Sequence, residues 1–185
     1  MKALITGASG FVGGYLRDHL EAQGDTVVGL HAEIDITDGE ATLAAIGEAA
    51  PDAVYHLAAA SNVGSSWSAP VEVWRVNAEG TLNLLLACEA AGVDRVLNVG
   101  SAEEYGKVDP ADLPLAETAP LRPVTPYGVS KVAADYLALQ AHLGRGLGVV
   151  RVRPFNHLGP SQSGRFVASA LAEQVARNEH LGNDV

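Results

Sequence analysis

Apolar residues in this chain gather into short runs separated by stretches with helical spacing. Residues 1–6 (MKALIT) form an apolar run ending at Gly7, after which Phe11, Tyr15, Leu16 and Leu20 recur with the period of a helix that extends to about Ala22. Comparable strand-like runs lie at residues 26–30, 53–57, 95–99 and 147–152, and helical segments separate them at about 41–50, 71–91 and 127–143. Runs such as VVGL and AVYHL are apolar at almost every position, as strands buried on both faces are. The pattern predicts an α/β fold, a Rossmann-type doubly wound parallel sheet with helices on both faces. Pro110, Pro114, Pro120, Pro123 and Pro126 make residues 107–126 a long irregular connection of the kind that carries function or moves. A last helical stretch spans 166–179, and no repeat or low-complexity tail interrupts the order.

Length and composition add bounds. At 185 residues and 48% hydrophobic content the chain has the size and apolar material of one domain. Its net charge of −10, with no Lys/Arg stripe interleaved with aromatics, argues against nucleic acid as a partner, so an anionic ligand must be met by local cations or backbone N–H groups. No apolar run reaches the ~18 residues of a membrane span and no cleavable leader is evident, so a soluble cytoplasmic protein without membrane contact is expected. The single cysteine, Cys88, excludes an internal disulfide and a cysteine metal cluster; it is expected to pack in the core, and no metal site is expected.

The first strand opens onto Gly7-Ala8-Ser9-Gly10-Phe11-Val12-Gly13 and then a helix. Glycines there permit a tight turn and close backbone approach, and the helix N-terminus presents free N–H groups and a positive dipole to a pyrophosphate. Glycines alone are a weak signal in a chain with 20 of them, but their place between first strand and first helix points to dinucleotide binding. The second strand ends Leu30-His31-Ala32-Glu33, where neither an acid for an NAD ribose nor an Arg for an NADP phosphate stands unambiguously, so NAD and NADP both stay open.

Tyr127-Gly128-Val129-Ser130-Lys131 sets a phenol and an ammonium four residues apart, on one face of a helix following Pro126. A neighbouring cation favours the phenolate, so Lys131 is expected to tune Tyr127 toward working pH. Ser101 follows the strand at 95–99, at the carboxyl edge where ligands bind in doubly wound folds, and is placed to hydrogen-bond a substrate oxygen. By itself Ser101 reads more readily as the start of a turn than as a chemical group; its pairing with the tyrosine-lysine helix reverses that. His56 closes an apolar strand and is expected to be a satisfied structural imidazole. His157 lies in a loop with no sequence-near carboxylate or cysteine for a nucleophilic or metal site.

In chain order TGASGFVG, Asp35-Ile36, HLAA, Asn77 with Gly80-Thr81, GSAEEYG, YGVSK and RPFN resemble the extended short-chain dehydrogenases/reductases of the NAD-dependent epimerase/dehydratase family, over almost every residue. The resemblance implies a Ser101–Tyr127–Lys131 triad, with Lys131 also holding the nicotinamide ribose. It implies cofactor contacts from Gly7, Ser9, Gly10, Phe11, Val12 and Gly13. Asp35 and Ile36 would lie near the adenine, Leu57, Ala58, Ala59 and Pro154 would line the cofactor, and Asn77 would support strand and helix near the nicotinamide.

Within the family, GSAEEYG, RPVTPYGVSK and FNHLGPSQSGRFV are similar to reductases acting on GDP-linked 4-keto-6-deoxy-mannose. That likeness implies a nucleotide-sugar substrate, GDP-linked, met by Ser101, Asn156, Arg165, Phe166 and Val167. GDP-mannose 4,6-dehydratases are similar too. Glu103 stands where they carry the glutamate that removes a proton beside the sugar ketone, but reductases carry it as well, so a 4,6-dehydratase or 4-epimerase remains the alternative. Reductases that also epimerise carry a cysteine at that place, so epimerisation of their kind is not expected. A reading of another class is a dinucleotide-binding or dimerisation module without turnover.

The resembling enzymes continue for about another hundred residues into a substrate domain. Residues 1–185 are therefore expected to form the dinucleotide-binding domain and, from about 156, the start of the substrate region, with an exposed sheet edge. The connection from Leu30 to Asp35 is shorter than in those reductases. Helices 71–91 and 127–143 carry Ala and Leu on more than one face. In the resembling enzymes they form a dimer's four-helix bundle, so a homodimer is expected.

Overall fold

The computed structural model describes residues 1–30 and 34–182. The chain divides into two units, Met1–Phe155 and Asn156–Val185. The first holds β1 (Lys2–Thr6), α1 (Phe11–Ala22), β2 (Thr26–Leu30), α2 (Gly39–Ala49), β3 (Ala53–His56), α3 (Val63–Ser66), α4 (Pro70–Trp74), α5 (Gly80–Ala90), β4 (Arg95–Val99), α6 (Pro126–Arg145) and β5 (Val149–Val152). The second holds α7 (Val167–Leu181). All strand pairings are parallel and the order is β2-β1-β3-β4-β5, so every strand ends at the same edge and β5 is an outer strand.

Alternate residues of β1 explain its unbroken apolar run. Leu4 faces one layer, where it clusters with Val54 and Val96 of the neighbouring strands, Ile46 of α2, Leu84 and Cys88 of α5 and Ala138 of α6. Ala3 and Ile5 face the other, against Leu20 of α1. Cys88 is fully buried, and burial pushes its thiol up to about 12, so it behaves as a small apolar side chain. No helix among the described residues is long and apolar enough to cross a membrane.

Several boundaries differ from the sequence expectation for local reasons. The third strand stops at His56 instead of 57, where the Thr6 side-chain hydroxyl, not a further backbone carbonyl, takes the Ala58 N–H and shares that of Leu57. The fifth begins at Val149 instead of 147 because the Leu147 N–H bonds the Ala141 carbonyl near the end of α6. Pro126 belongs to α6, not to the connection before it: it is an early helical residue, where its missing N–H costs nothing, and Thr125 caps the turn by accepting the Gly128 N–H at 2.9 Å. The connection also contains a 3-10 turn at Pro110–Asp112. The final helix spans Val167–Leu181 with Phe166 as its cap, not 166–179. The expected single helix at 71–91 starts at Pro70 and contains a π turn, Arg75–Glu79, that periodicity did not reveal.

His56 ties both central strands to α5. Thr81 donates its hydroxyl proton to the Asn77 carbonyl at 2.6 Å, so its oxygen accepts from His56 Nε2 at 2.9 Å; His56 Nδ1 then accepts from the Thr6 hydroxyl at 2.8 Å. The Thr6 oxygen still accepts the Leu57 and Ala58 N–H groups. Burial, reinforced by the Lys131 charge, holds the imidazole neutral down to about 3.

Two predictions follow the core. Leu84→Ala empties a fully buried position and should cost about 2–5 kcal/mol of folding stability in urea denaturation, whereas Leu43→Ala, at an exposed position of α2, should stay within about 0.5 kcal/mol. For His56, the unfolded chain takes up a proton below about 6.5 while the folded chain does not until about 3, so this residue withdraws stability as pH falls through that window, by roughly 1.4 kcal/mol per unit. Denaturation series at several pH values should show that extra slope in the wild type and not in His56→Gln.

Candidate active site

The glycine turn sits at the carboxyl end of β1. Gly7 has a φ of +72°, and a Cβ there would come within 2.9 Å of the Ala58 nitrogen; at Gly13 a Cβ would come within 2.4 Å of the Gly7 carbonyl oxygen. Glycine at 7 lets the turn pack against the segment after β3, and glycine at 13 lets α1 pack against the turn itself. Gly10 caps α1 with no side-chain hydrogen bond, leaving the helix start to the backbone alone. A cradle that side chains would fill, opening on an uncapped 12-residue helix, fits a dinucleotide pyrophosphate. Leu57 and Ala58 border it, and Ala59 follows. Asp35 is exposed and accepts the Thr37 N–H at 2.9 Å, a bond that holds its carboxyl below the usual range, whereas the Ile36 side chain is part of the core. His31 and Glu33 lie outside the described residues.

Asn77 occupies the π turn, and its whole amide is engaged with protein. Oδ1 accepts the Ala60 N–H at 2.8 Å, while Nδ2 donates to the Ala60 carbonyl at 3.3 Å and to Ser130 Oγ at 2.9 Å. Ser130 passes its own proton to the Tyr127 carbonyl at 2.7 Å. The wider turn thus pins the loop after β3 to the first turns of α6, and Asn77 serves there as a support.

Ser101, Tyr127 and Lys131 come together at the carboxyl edge of the sheet. Ser101 caps a 3-10 turn, Ala102–Glu104, with its hydroxyl accepting the Glu103 N–H at 3.2 Å. Tyr127 and Lys131, 8% and 6% exposed, lie one helical turn apart on α6. The expectation that Lys131 lowers the phenol is not what the structure shows. Burial lifts Tyr127 above its ordinary value; a hydrogen bond with the Ser101 side chain pulls the other way, and the Glu104 and Glu103 charges add to the lift. Burial brings Lys131 down to about 8, against Glu104 and Asp135, which favour its charged form. Glu103 stays partly exposed beside this group. Pro154 is joined to the same corner, its carbonyl accepting the Ala102 N–H at 3.0 Å.

Sequence reading missed the charges beneath these residues. Glu104 and Asp135 are both fully buried and both bonded to Arg153, at 3.0 and 2.7 Å; Asp135 also meets Arg151. A signal was present: Asp135 lies in the stripe Lys131, Ala134, Ala138 of α6, so an acid there had to be buried with a cation. Burial and the Asp135 charge raise the Glu104 carboxyl to about 7, against the Ser101 N–H, Arg153 and Lys131. Burial alone would lower Arg153, but its bonds to Asp135 and Tyr105 and the two acid charges raise it further.

In the second unit, Asn156, Arg165, Phe166 and Val167 are all exposed, and the Arg165 N–H bonds Ser163 Oγ at 3.3 Å. The His157 carbonyl accepts from Gln162 at 2.9 Å.

Comparison with known proteins places this geometry among relatives. A family model described as the NAD dependent epimerase/dehydratase family matches residues 3–185. A GDP-6-deoxy-D-mannose reductase of Pseudomonas aeruginosa is 37% identical over 179 residues, covering 95% of this chain and 59% of its own length. A UDP-glucose 4-epimerase of Streptomyces lividans is also 37% identical, covering 90% of this chain and 55% of its own length. The chain thus spans less than two thirds of these relatives. Among solved structures, RMD from Pseudomonas aeruginosa complexed with NADPH matches with a TM-score of 0.91 and 36% identity, over all of this chain and 64% of its own. The Thermus thermophilus UDP-glucose 4-epimerase complex with NAD matches at 0.88 and 32%, with the same coverage.

The buried ammonium generates a prediction. With lysine labelled at 13Cε, the resonance that disappears in Lys131→Met should titrate near pH 8, read by NMR on the dinucleotide-free protein.

Proposed function

Because the chain belongs to the NAD-dependent epimerase/dehydratase family, we propose that it is the NAD(P)-binding part of a nucleotide-sugar oxidoreductase that reduces the C4 ketone of a GDP-4-keto-6-deoxy-mannose-type substrate. The observation that carries this reading is the gathering of Ser101, in the turn after β4, with Tyr127 and Lys131, one helical turn apart on α6, at the edge where the glycine turn also lies. The 37% identity to a GDP-6-deoxy-D-mannose reductase supports a nucleotide-sugar substrate, as does the equal identity to a UDP-glucose 4-epimerase.

In this reading Gly7, Ser9, Gly10, Phe11, Val12 and Gly13 hold the pyrophosphate, with Asp35, Ile36, Leu57, Ala58, Ala59 and Pro154 along the rest of the dinucleotide. When bound, the reduced nicotinamide supplies a hydride. Tyr127 gives its proton to the ketone oxygen, Ser101 donates a hydrogen bond to that oxygen, and Lys131 places positive charge beside the phenol as the proton leaves. A phenol lifted above its ordinary value stays protonated at neutral pH, the form that a proton donor in the reductive direction needs. Asn156, Arg165, Phe166 and Val167 contact the nucleotide sugar, Arg165 matching a diphosphate in charge and shape.

Glu103 favours one second reading, a nucleotide-sugar 4,6-dehydratase, since its carboxylate stands beside the triad and its carboxyl is partly open to solvent. The protein acts in the cytoplasm as a homodimer; support for the dimer is the row of exposed apolar side chains Val71, Trp74, Leu82 and Leu86 along α4–α5, with Val129, Tyr136 and Leu143 on α6.

The test is twofold. Titration with NADH and NADPH in parallel should show saturable binding of one or both, and incubation with the GDP-linked 4-keto sugar should lower the absorbance of the reduced nicotinamide; a dehydratase or epimerase returns its cofactor and leaves that absorbance unchanged. Tyr127→Phe should retain binding and lose ~10²–10⁴-fold in turnover. Full turnover in that variant would falsify the role given to Tyr127.

A further inference from the structure

Glu104 is fully buried, and its two carboxylate oxygens are committed to different elements. Oε1 accepts the Ser101 N–H at 2.8 Å, closing the turn after β4, and Oε2 accepts from Arg153 Nε at 3.0 Å, just past the end of β5. Arg153 in turn donates to Asp135 of α6 at 2.7 Å, to the Tyr105 hydroxyl at 3.3 Å and to the Glu117 carbonyl at 3.0 Å. Even the backbone of Glu104 is engaged, its carbonyl accepting the Arg122 N–H at 3.0 Å. The space for the carboxylate exists because residue 100 is glycine: a Cβ there would come within 2.3 Å of Oε1.

We propose that Glu104 is a positioning residue for the Ser101–Tyr127–Lys131 group. Its carboxylate fixes the Ser101 backbone, and through it the hydroxyl that meets Tyr127, and it holds negative charge against the buried Lys131 ammonium. The inference rests on the reading of those three residues as the reacting group. It goes beyond that reading in giving the second glutamate of GSAEEYG a task distinct from that of Glu103.

The chemistry demands an acid. Both oxygens face donors, so a glutamine would present its NH₂ to either the Ser101 N–H or Arg153 Nε, and one of the two bonds would be lost. The charged groups around Glu104 are Arg153 beyond β5 and Lys131, Asp135 and Tyr127 on α6, with Glu103 beside it in the chain. Asp135 opposes its ionisation, and Arg153 and Lys131 favour it. In return Glu104 raises both Lys131 and Tyr127. The charge on one buried side chain is therefore felt by the proton donor and its neighbouring cation together.

The experiment is NMR on the whole, dinucleotide-free chain carrying 13Cε-lysine and 13Cζ-tyrosine, with Lys131→Met and Tyr127→Phe as assignments. Glu104→Gln should move the titrations of Lys131 and Tyr127 both to lower pH. If that variant does not fold, the wild type answers the same question: with Glu104 13Cδ assigned through the backbone, the Lys131 resonance should respond as the Glu104 carboxyl titrates through neutrality. Lys131 and Tyr127 titrations indifferent to Glu104 in both forms would overturn the proposal, leaving only a structural ion pair. Where the wild type consumes reduced dinucleotide with the keto sugar, Glu104→Gln should lower kcat and displace its pH profile; an unchanged profile would likewise overturn it. Absent turnover in the wild type sinks the proposed function without touching the titrations, so the two failures are distinguishable.

Discussion

A charge withdrawn from water has to be met by an opposite charge and by hydrogen bonds, and that requirement organises the carboxyl edge of this sheet. Lys131 is buried under the first turns of α6, and two buried acids, Glu104 and Asp135, lie within reach of its field. Those acids need cations of their own, which Arg151 and Arg153 supply from β5 and just beyond it. The chain of compensation runs from β4 through β5 to α6, the three elements that fix Ser101, Pro154 and the Tyr127–Lys131 pair. Arg153 is the member shared by both acids, and its loss would leave Glu104 buried without an ion-pair partner, at a typical cost of about 3–5 kcal/mol.

Neutral hydrogen bonds do the corresponding work on the cofactor side. Thr6, His56, Thr81 and Asn77 form a continuous series across β1, β3 and the α4–α5 helix, with the donor and acceptor role of every member fixed by its neighbour. The π turn is what brings Asn77 into that series. One extra residue in the turn lets its amide reach Ala60 on one side and Ser130 on the other, and Ser130 sits between Tyr127 and Lys131 in sequence. The glycine turn and the start of α6 are thus located by the same buried polar seam.

What could be read in the sequence was what depends on short-range pattern. Unbroken apolar runs identified every strand, because parallel strands are covered on both faces, and the glycine turn was legible because close approach at Gly7 and Gly13 excludes side chains. The Tyr127–Lys131 spacing was legible for the same reason, as helical periodicity places the two on one face. Strand ends at His56 and Val149, and the π turn, depend on tertiary hydrogen bonds from Thr6, Ala141 and Asn77 that no local pattern encodes. The direction in which Tyr127 is displaced was also out of reach. Its cation neighbour is visible in YGVSK, but burial and two glutamates acting the other way appear only when α6 is packed on the turn after β4.

Stability gives no sufficient reason for this arrangement. Well-packed hydrophobic residues of similar volume often replace buried ion pairs with no loss, or with a gain, of stability. The layer between α6 and the sheet already contains such residues, with Ala138 packed against Leu84 and Val96 in the same cluster. What the acids and arginines beside that cluster add, and apolar residues would not, is an electric field at the sheet edge. Lys131 feels that field directly: burial brings its ammonium down to about 8, while Glu104 and Asp135 favour its charged form. Glu104 favours the charged lysine and, with Glu103, adds to the lift that burial gives the phenol, so one buried carboxylate pushes both members of the pair toward their protonated forms.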